Sequence, residues 1–82
     1  MEDAILMLSG EIKLIRQKSL MTQMEFASQL KVSFSTINRW ETGKSIPSIS
    51  TLKALKQFCT QNSISFEKLE IEWLKKHNAS EE

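Results

Sequence analysis

The chain has 82 residues, with eleven lysines and arginines against ten acids, a formal net charge of +1, one cysteine and one proline. That length suits one small domain and leaves no room for a separate sensor or catalytic domain, while the lone Cys59 excludes an internal disulfide and fits a reducing cytoplasm. The apolar run Ala4 to Leu8 is too short for a signal-peptide core and has no basic flank, and no stretch is long enough to span a membrane, so a cytoplasmic location is expected. The charge is uneven: residues 1–60 carry a net +3 and residues 61–82 a net −2, which places the positive balance away from the tail.

In chain order, Ile5, Leu8, Ile12 and Ile15 recur at steps of three and four, the period of one buried helix face. They predict a first helix over 10–18, with 1–9 either an N-terminal extension or an earlier start of the same helix near Asp3. Gly10 separates the two options, because glycine inside a helix costs about 1 kcal/mol relative to alanine. Thr22-x-x-Glu25 is a capping box that opens a second helix, whose Phe26, Ala27 and Leu30 share a face. Ser33 is a good N-cap for a third, Ile37 and Trp40 form its inner face, and Gly43 suits the left-handed position after its end. Ile46-Pro47 forces an extended link. A fourth helix starts near Ser48 to Ser50, buries Leu52, Leu55 and Phe58, and breaks at Asn62-Ser63. Cys59 falls at core spacing with Leu55 and reads as a small buried residue rather than a reactive thiol. A fifth helix runs from Ser65 to Lys76, with Phe66, Leu69 and Trp73 on one face and Ile71 and Leu74 on another. Residues 77–82 are expected to form a flexible acidic tail. Strand alternation, repeats and low-complexity tracts are absent from the sequence, so the fold class is all-α.

The segment from Thr22 to Pro47 is the most informative. Two short helices are joined there by a turn built around Val32, and the outward face of the second carries Phe34, Ser35, Asn38 and Arg39. These side chains can reach base edges and thymine methyls, the layout of a DNA-reading helix-turn-helix. The segment resembles the Cro/CI-like (XRE) helix-turn-helix family of phage repressors and bacterial regulators. The residues that carry the resemblance are Thr22-Gln23, Glu25, Phe26-Ala27, Leu30, Val32-Ser33, Ser35-Thr36-Ile37, Trp40-Glu41, Gly43-Lys44 and Pro47. It extends more weakly back through Ile12, Ile15 and Arg16 and forward to Leu69. The resemblance implies a compact five-helix bundle of the lambda-repressor-like type over residues 10–76, its third helix lying in the major groove of double-stranded DNA.

It also implies roles for particular residues. Gln23, at the first position of helix two, grips the DNA backbone where free amides and the helix dipole favour a phosphate. Arg16 pairs with Glu41, clamping helix one to the end of helix three, and Trp40 belongs to the core. Lys44 is placed for another phosphate contact, and Thr36 and Thr42 are further candidates; such contacts set register and carry no sequence information. Sequence reading falls to Phe34, Ser35, Asn38 and Arg39. Arg39 can form two hydrogen bonds with guanine, and Asn38 can pair with adenine or turn to a phosphate. Phe34 can cover thymine methyls or fold back onto the domain. The one departure is Lys31, where the family usually has glycine because the turn needs a positive φ.

Gly43-Lys44-Ser45 imitates the end of a P-loop, but that motif needs a glycine where Asn38 stands. His77 has no Cys or His neighbour at ligand spacing, and no nucleophile-base or paired-carboxylate set has a plausible pocket. No enzyme activity, metal, cofactor or small-molecule substrate is therefore expected. Two function classes stay open: a transcriptional regulator, a repressor by preference, acting as a homodimer on a palindrome, or an interaction module such as an antitoxin holding a toxin, with DNA binding secondary. Candidate dimer surfaces are Ile5, Leu6, Met7 and Leu8 at one end and Ile71 and Leu74 at the other, with core packing the alternative for both.

Overall fold

The structure is a computed structural model that describes residues 4–80, with side chains described from Met7 to Asn78. Five helices follow one another: α1 (Ala4–Lys18), α2 (Gln23–Leu30), α3 (Phe34–Glu41), α4 (Ile49–Gln61) and α5 (Glu67–Ser80). No strand occurs among the described residues. Leu8, Ile12 and Ile15 line the buried face of α1; Ile5 and Leu6 lie outside the described side chains. α1 runs from Ala4, so Gly10 sits inside it and faces open space, while Asp3 lies outside the described residues. Burying Leu8 and Ile12, each worth roughly 1.5–3 kcal/mol, outweighs the glycine's backbone cost.

Each of the first four helices stops in the same way. A residue with positive φ follows the helix, and two amides turn back to the last carbonyls, the Schellman arrangement. Gly43 (φ 78°) does this after α3, with Lys44 N–H bonded to Arg39 O at 2.8 Å. Lys31 (φ 60°) does it after α2, where Val32 N–H bonds to Ala27 O at 3.0 Å. The turn therefore keeps its geometry without the family's usual glycine, at a strain of roughly 1 kcal/mol. Leu20 and Ser63 fill the same position after α1 and α4.

One core joins all five helices. Phe26 of α2 meets Phe58 of α4 edge to face at 5.4 Å between ring centroids, and Ile37 and Trp40 of α3 belong to the same buried cluster, as do Leu55 and Cys59 of α4. Burial pushes the Cys59 thiol up to about 11, which keeps it protonated and inert at neutral pH. Phe66, Leu69 and Trp73 bring α5 onto this core, chiefly against α1. The Trp73 indole N–H donates to Pro47 O at 2.7 Å, tying α5 to the link between α3 and α4. α5 starts two residues later than its sequence pattern suggests and continues to Ser80, so residues 77–80 extend the helix instead of forming a tail. His77 stacks on Trp73 at 4.4 Å, which supports that extra turn.

Candidate nucleic-acid interface

Two capped helix starts and one ion pair set the geometry of the interface. Thr22 caps α2 through a full capping box: its hydroxyl accepts from Glu25 N–H at 3.1 Å, and the Glu25 carboxylate accepts from Thr22 N–H at 2.9 Å. The amides of Gln23 and Met24 are left without intrahelical partners at the positive end of the helix dipole, where an anion is favoured. Ser33 caps α3 by accepting from Thr36 N–H at 3.1 Å, and its hydroxyl also lies 2.9 Å from Thr36 Oγ1 and 3.2 Å from Ser35 Oγ.

The outer face of α3 is open. Phe34 is 48% exposed, so about half of its side chain is open to solvent. Ser35, Asn38 and Arg39 are exposed on the same helix, opposite the buried Ile37 and Trp40. Among the described residues, Arg39 is held only by a long contact from Nη2 to Lys44 O at 3.4 Å, which leaves its guanidinium easy to redirect. The four expected base readers thus share one helix and one accessible surface.

The four expected phosphate contacts are less uniform. Lys44 is exposed just past α3. Thr36 is half-buried within the Ser33 hydroxyl cluster. Thr42 spends its single hydroxyl proton on Asn38 O at 2.8 Å. Gln23 is half-buried, and its Nε2 donates to Glu41 Oε1 at 3.0 Å. Sequence reasoning did not find that last contact, because it joins residues 18 positions apart and neither side chain signals the other.

Behind Gln23 lies the pair between α1 and α3. Arg16 Nε meets Glu41 Oε2 at 2.7 Å and Arg16 Nη2 meets Glu41 Oε1 at 2.9 Å, a bidentate fork. A third guanidinium nitrogen, Nη1, donates to Met21 O at 3.0 Å, at the approach to α2. Hydrogen bonding to Glu41 holds the Arg16 guanidinium above its ordinary value. Removing one partner of such a pair costs roughly 3–5 kcal/mol.

Elsewhere, α4 and α5 border a groove of about 290 Å³ lined by Ile49, Leu52, Phe66, Trp73 and Leu74, with Lys53, Lys56 and Glu70 also on its walls. Of the expected dimer residues, Leu8 is core, whereas Met7, Ile71 and Leu74 are exposed. Among the described residues, no group of three acidic, His or Cys side chains can hold a metal, and no helix is long and apolar enough to cross a membrane.

An all-α bundle with a three-residue link, Lys31 to Ser33, between two eight-residue helices, the second open on its polar face, is a helix-turn-helix domain. A family model described as helix-turn-helix matches residues 12–59, and the chain belongs to that family, the XRE type of DNA-binding helix-turn-helix. The chain is also 35% identical over 48 residues to the HTH-type transcriptional activator BcrR of Enterococcus faecalis, a match covering 58% of this chain and 24% of that protein. The match therefore spans about a quarter of the relative's length. No solved structure matches the chain.

Proposed function

We propose that the chain is a sequence-specific regulator of transcription that binds double-stranded DNA by inserting α3 into the major groove. The observation that carries this reading is the outer face of α3, where Phe34, Ser35, Asn38 and Arg39 stand exposed together. In this reading Arg39 reads a guanine, Asn38 an adenine, and Phe34 covers a thymine methyl while Ser35 completes the polar contacts. Gln23 and Lys44 seat the domain on phosphates, with Thr36 and Thr42 reorienting to assist.

One recognition helix reads only a few base pairs, so the domain acts as a homodimer on a palindrome with half-sites about one helical turn apart. The exposed Ile71 and Leu74 of α5 are the surface best suited to that pairing. Bound across a promoter, the dimer blocks polymerase and acts as a repressor; the relative is described as an activator, and the position of the operator decides between the two. Selection of binding sites from a random duplex library tests the proposal. The expected product is an inverted repeat whose half-site holds a guanine and at least one thymine. Recovery of sequences with no shared half-site would overturn it.

A further inference from the structure

Gln23 is not a loose surface side chain. Its amide is anchored on Glu41 Oε1, and that same oxygen accepts from Arg16 Nη2 at 2.9 Å while Oε2 accepts from Arg16 Nε at 2.7 Å. The Glu41 side chain is only 3% exposed and that of Arg16 only 14%. A buried carboxylate thus takes three hydrogen bonds, two from a guanidinium that cancels its charge. Left uncancelled, that charge beside the start of α2 would repel a phosphate.

The Gln23 amide nitrogen has two N–H bonds in one plane. With one directed at Glu41, the amide nitrogen is held in place and its second N–H is left to donate to another acceptor. We propose that Arg16 and Glu41 are positioning residues for DNA binding: acting through Gln23, they hold the phosphate-donating amide in its binding orientation and lock that seat to the C-terminal end of α3. The inference rests on the phosphate role proposed for Gln23 above. Three elements meet in this one network, Arg16 from α1, Gln23 from α2 and Glu41 from α3. The phosphate seat and the recognition helix therefore keep a fixed spacing, as register on the duplex requires. The pair contributes to affinity for every sequence and to the choice of none.

A substitution cycle tests this, read by binding to a random-sequence duplex of about two helical turns at low salt, because phosphate contacts ignore sequence. Gln23→Ala alone is expected to weaken binding about tenfold, the loss of one hydrogen bond to a charged group. The same substitution is then made beside Arg16→Met and Glu41→Met, which replace the ion pair with apolar side chains of similar length, an exchange that proteins commonly tolerate. There Gln23→Ala is expected to change binding by no more than about twofold, because its contribution has already gone. An equal tenfold loss in both backgrounds overturns the positioning role and leaves the phosphate role of Gln23 standing. No loss from Gln23→Ala in the unaltered chain overturns both. Should the apolar pair fail to fold, Glu41→Asp keeps the charge facing Arg16 and shortens the side chain by one methylene. The same comparison with and without Gln23→Ala then decides, on the same two outcomes.

Discussion

The first turns of α3 and α4 are nearly the same peptide, Ser33-Phe34-Ser35-Thr36 and Ser48-Ile49-Ser50-Thr51, and they fold into the same structure. Each leading serine accepts from the amide three residues on, at 3.1 Å in α3 and 3.3 Å in α4. Each also gathers the next two hydroxyls around it, at 3.2 and 2.9 Å in one helix and 3.2 and 3.0 Å in the other. The likeness continues inward, with Ile37 and Trp40 in the places that Leu52 and Leu55 fill in α4. What differs is the outward face. The positions of Asn38 and Arg39 in α3 are taken by Lys53 and Ala54 in α4, and although Phe34 and Ile49 are both about half exposed, Ile49 borders the apolar groove lined also by Trp73. Capping and core are therefore shared architecture, and the base reading proposed for α3 rests on a few outward side chains that α4 does not carry.

Three comparisons test that division, beginning with the largest effect. Trp40→Ala and Leu55→Ala should both destabilise strongly, by about 3–5 and 2–5 kcal/mol, in thermal or denaturant unfolding. A much smaller loss at Trp40 would mean that the α3 face is not core. Next, Phe34→Ala should weaken binding to the selected site about five- to tenfold while leaving the melting temperature nearly unchanged, as loss of thymine-methyl contacts implies. Ile49→Ala should leave DNA affinity alone; equal losses at both would erase the distinction between the helices. The smallest effect is at the caps. Ser33→Ala and Ser48→Ala should each lower stability by about 1 kcal/mol, and unequal values would show that the two starts are alike only in geometry.

Much of this was legible in the chain. The period of Leu8, Ile12 and Ile15, the Thr22 and Glu25 box, the Ser33 cap and the Gly43 stop are local signals, and local chemistry is enough to produce them. The extent of α1 was ambiguous because a glycine penalty of about 1 kcal/mol competed with burial that no local pattern measures. The ends of α1 at Lys18 and of α4 before Asn62-Ser63 were legible too, but the left-handed conformation of Leu20 and Ser63 was not, because no glycine marks it. The pairing of Arg16 with Glu41 followed from family resemblance, and the geometry agrees. The attachment of Gln23 to that pair was not legible, since a contact between the start of α2 and the end of α3 depends on how the two helices cross.

The most direct test of the claim that α3 reads the sequence is a repeat of the binding-site selection with Arg39→Ala, alongside Lys53→Ala at the matching outward turn of α4. The account predicts that Arg39→Ala frees one guanine position in each half-site, a discrimination of about 1–3 kcal/mol, and keeps the rest of the consensus, whereas Lys53→Ala leaves the consensus intact. An Arg39→Ala consensus identical to that of the unaltered chain would contradict it.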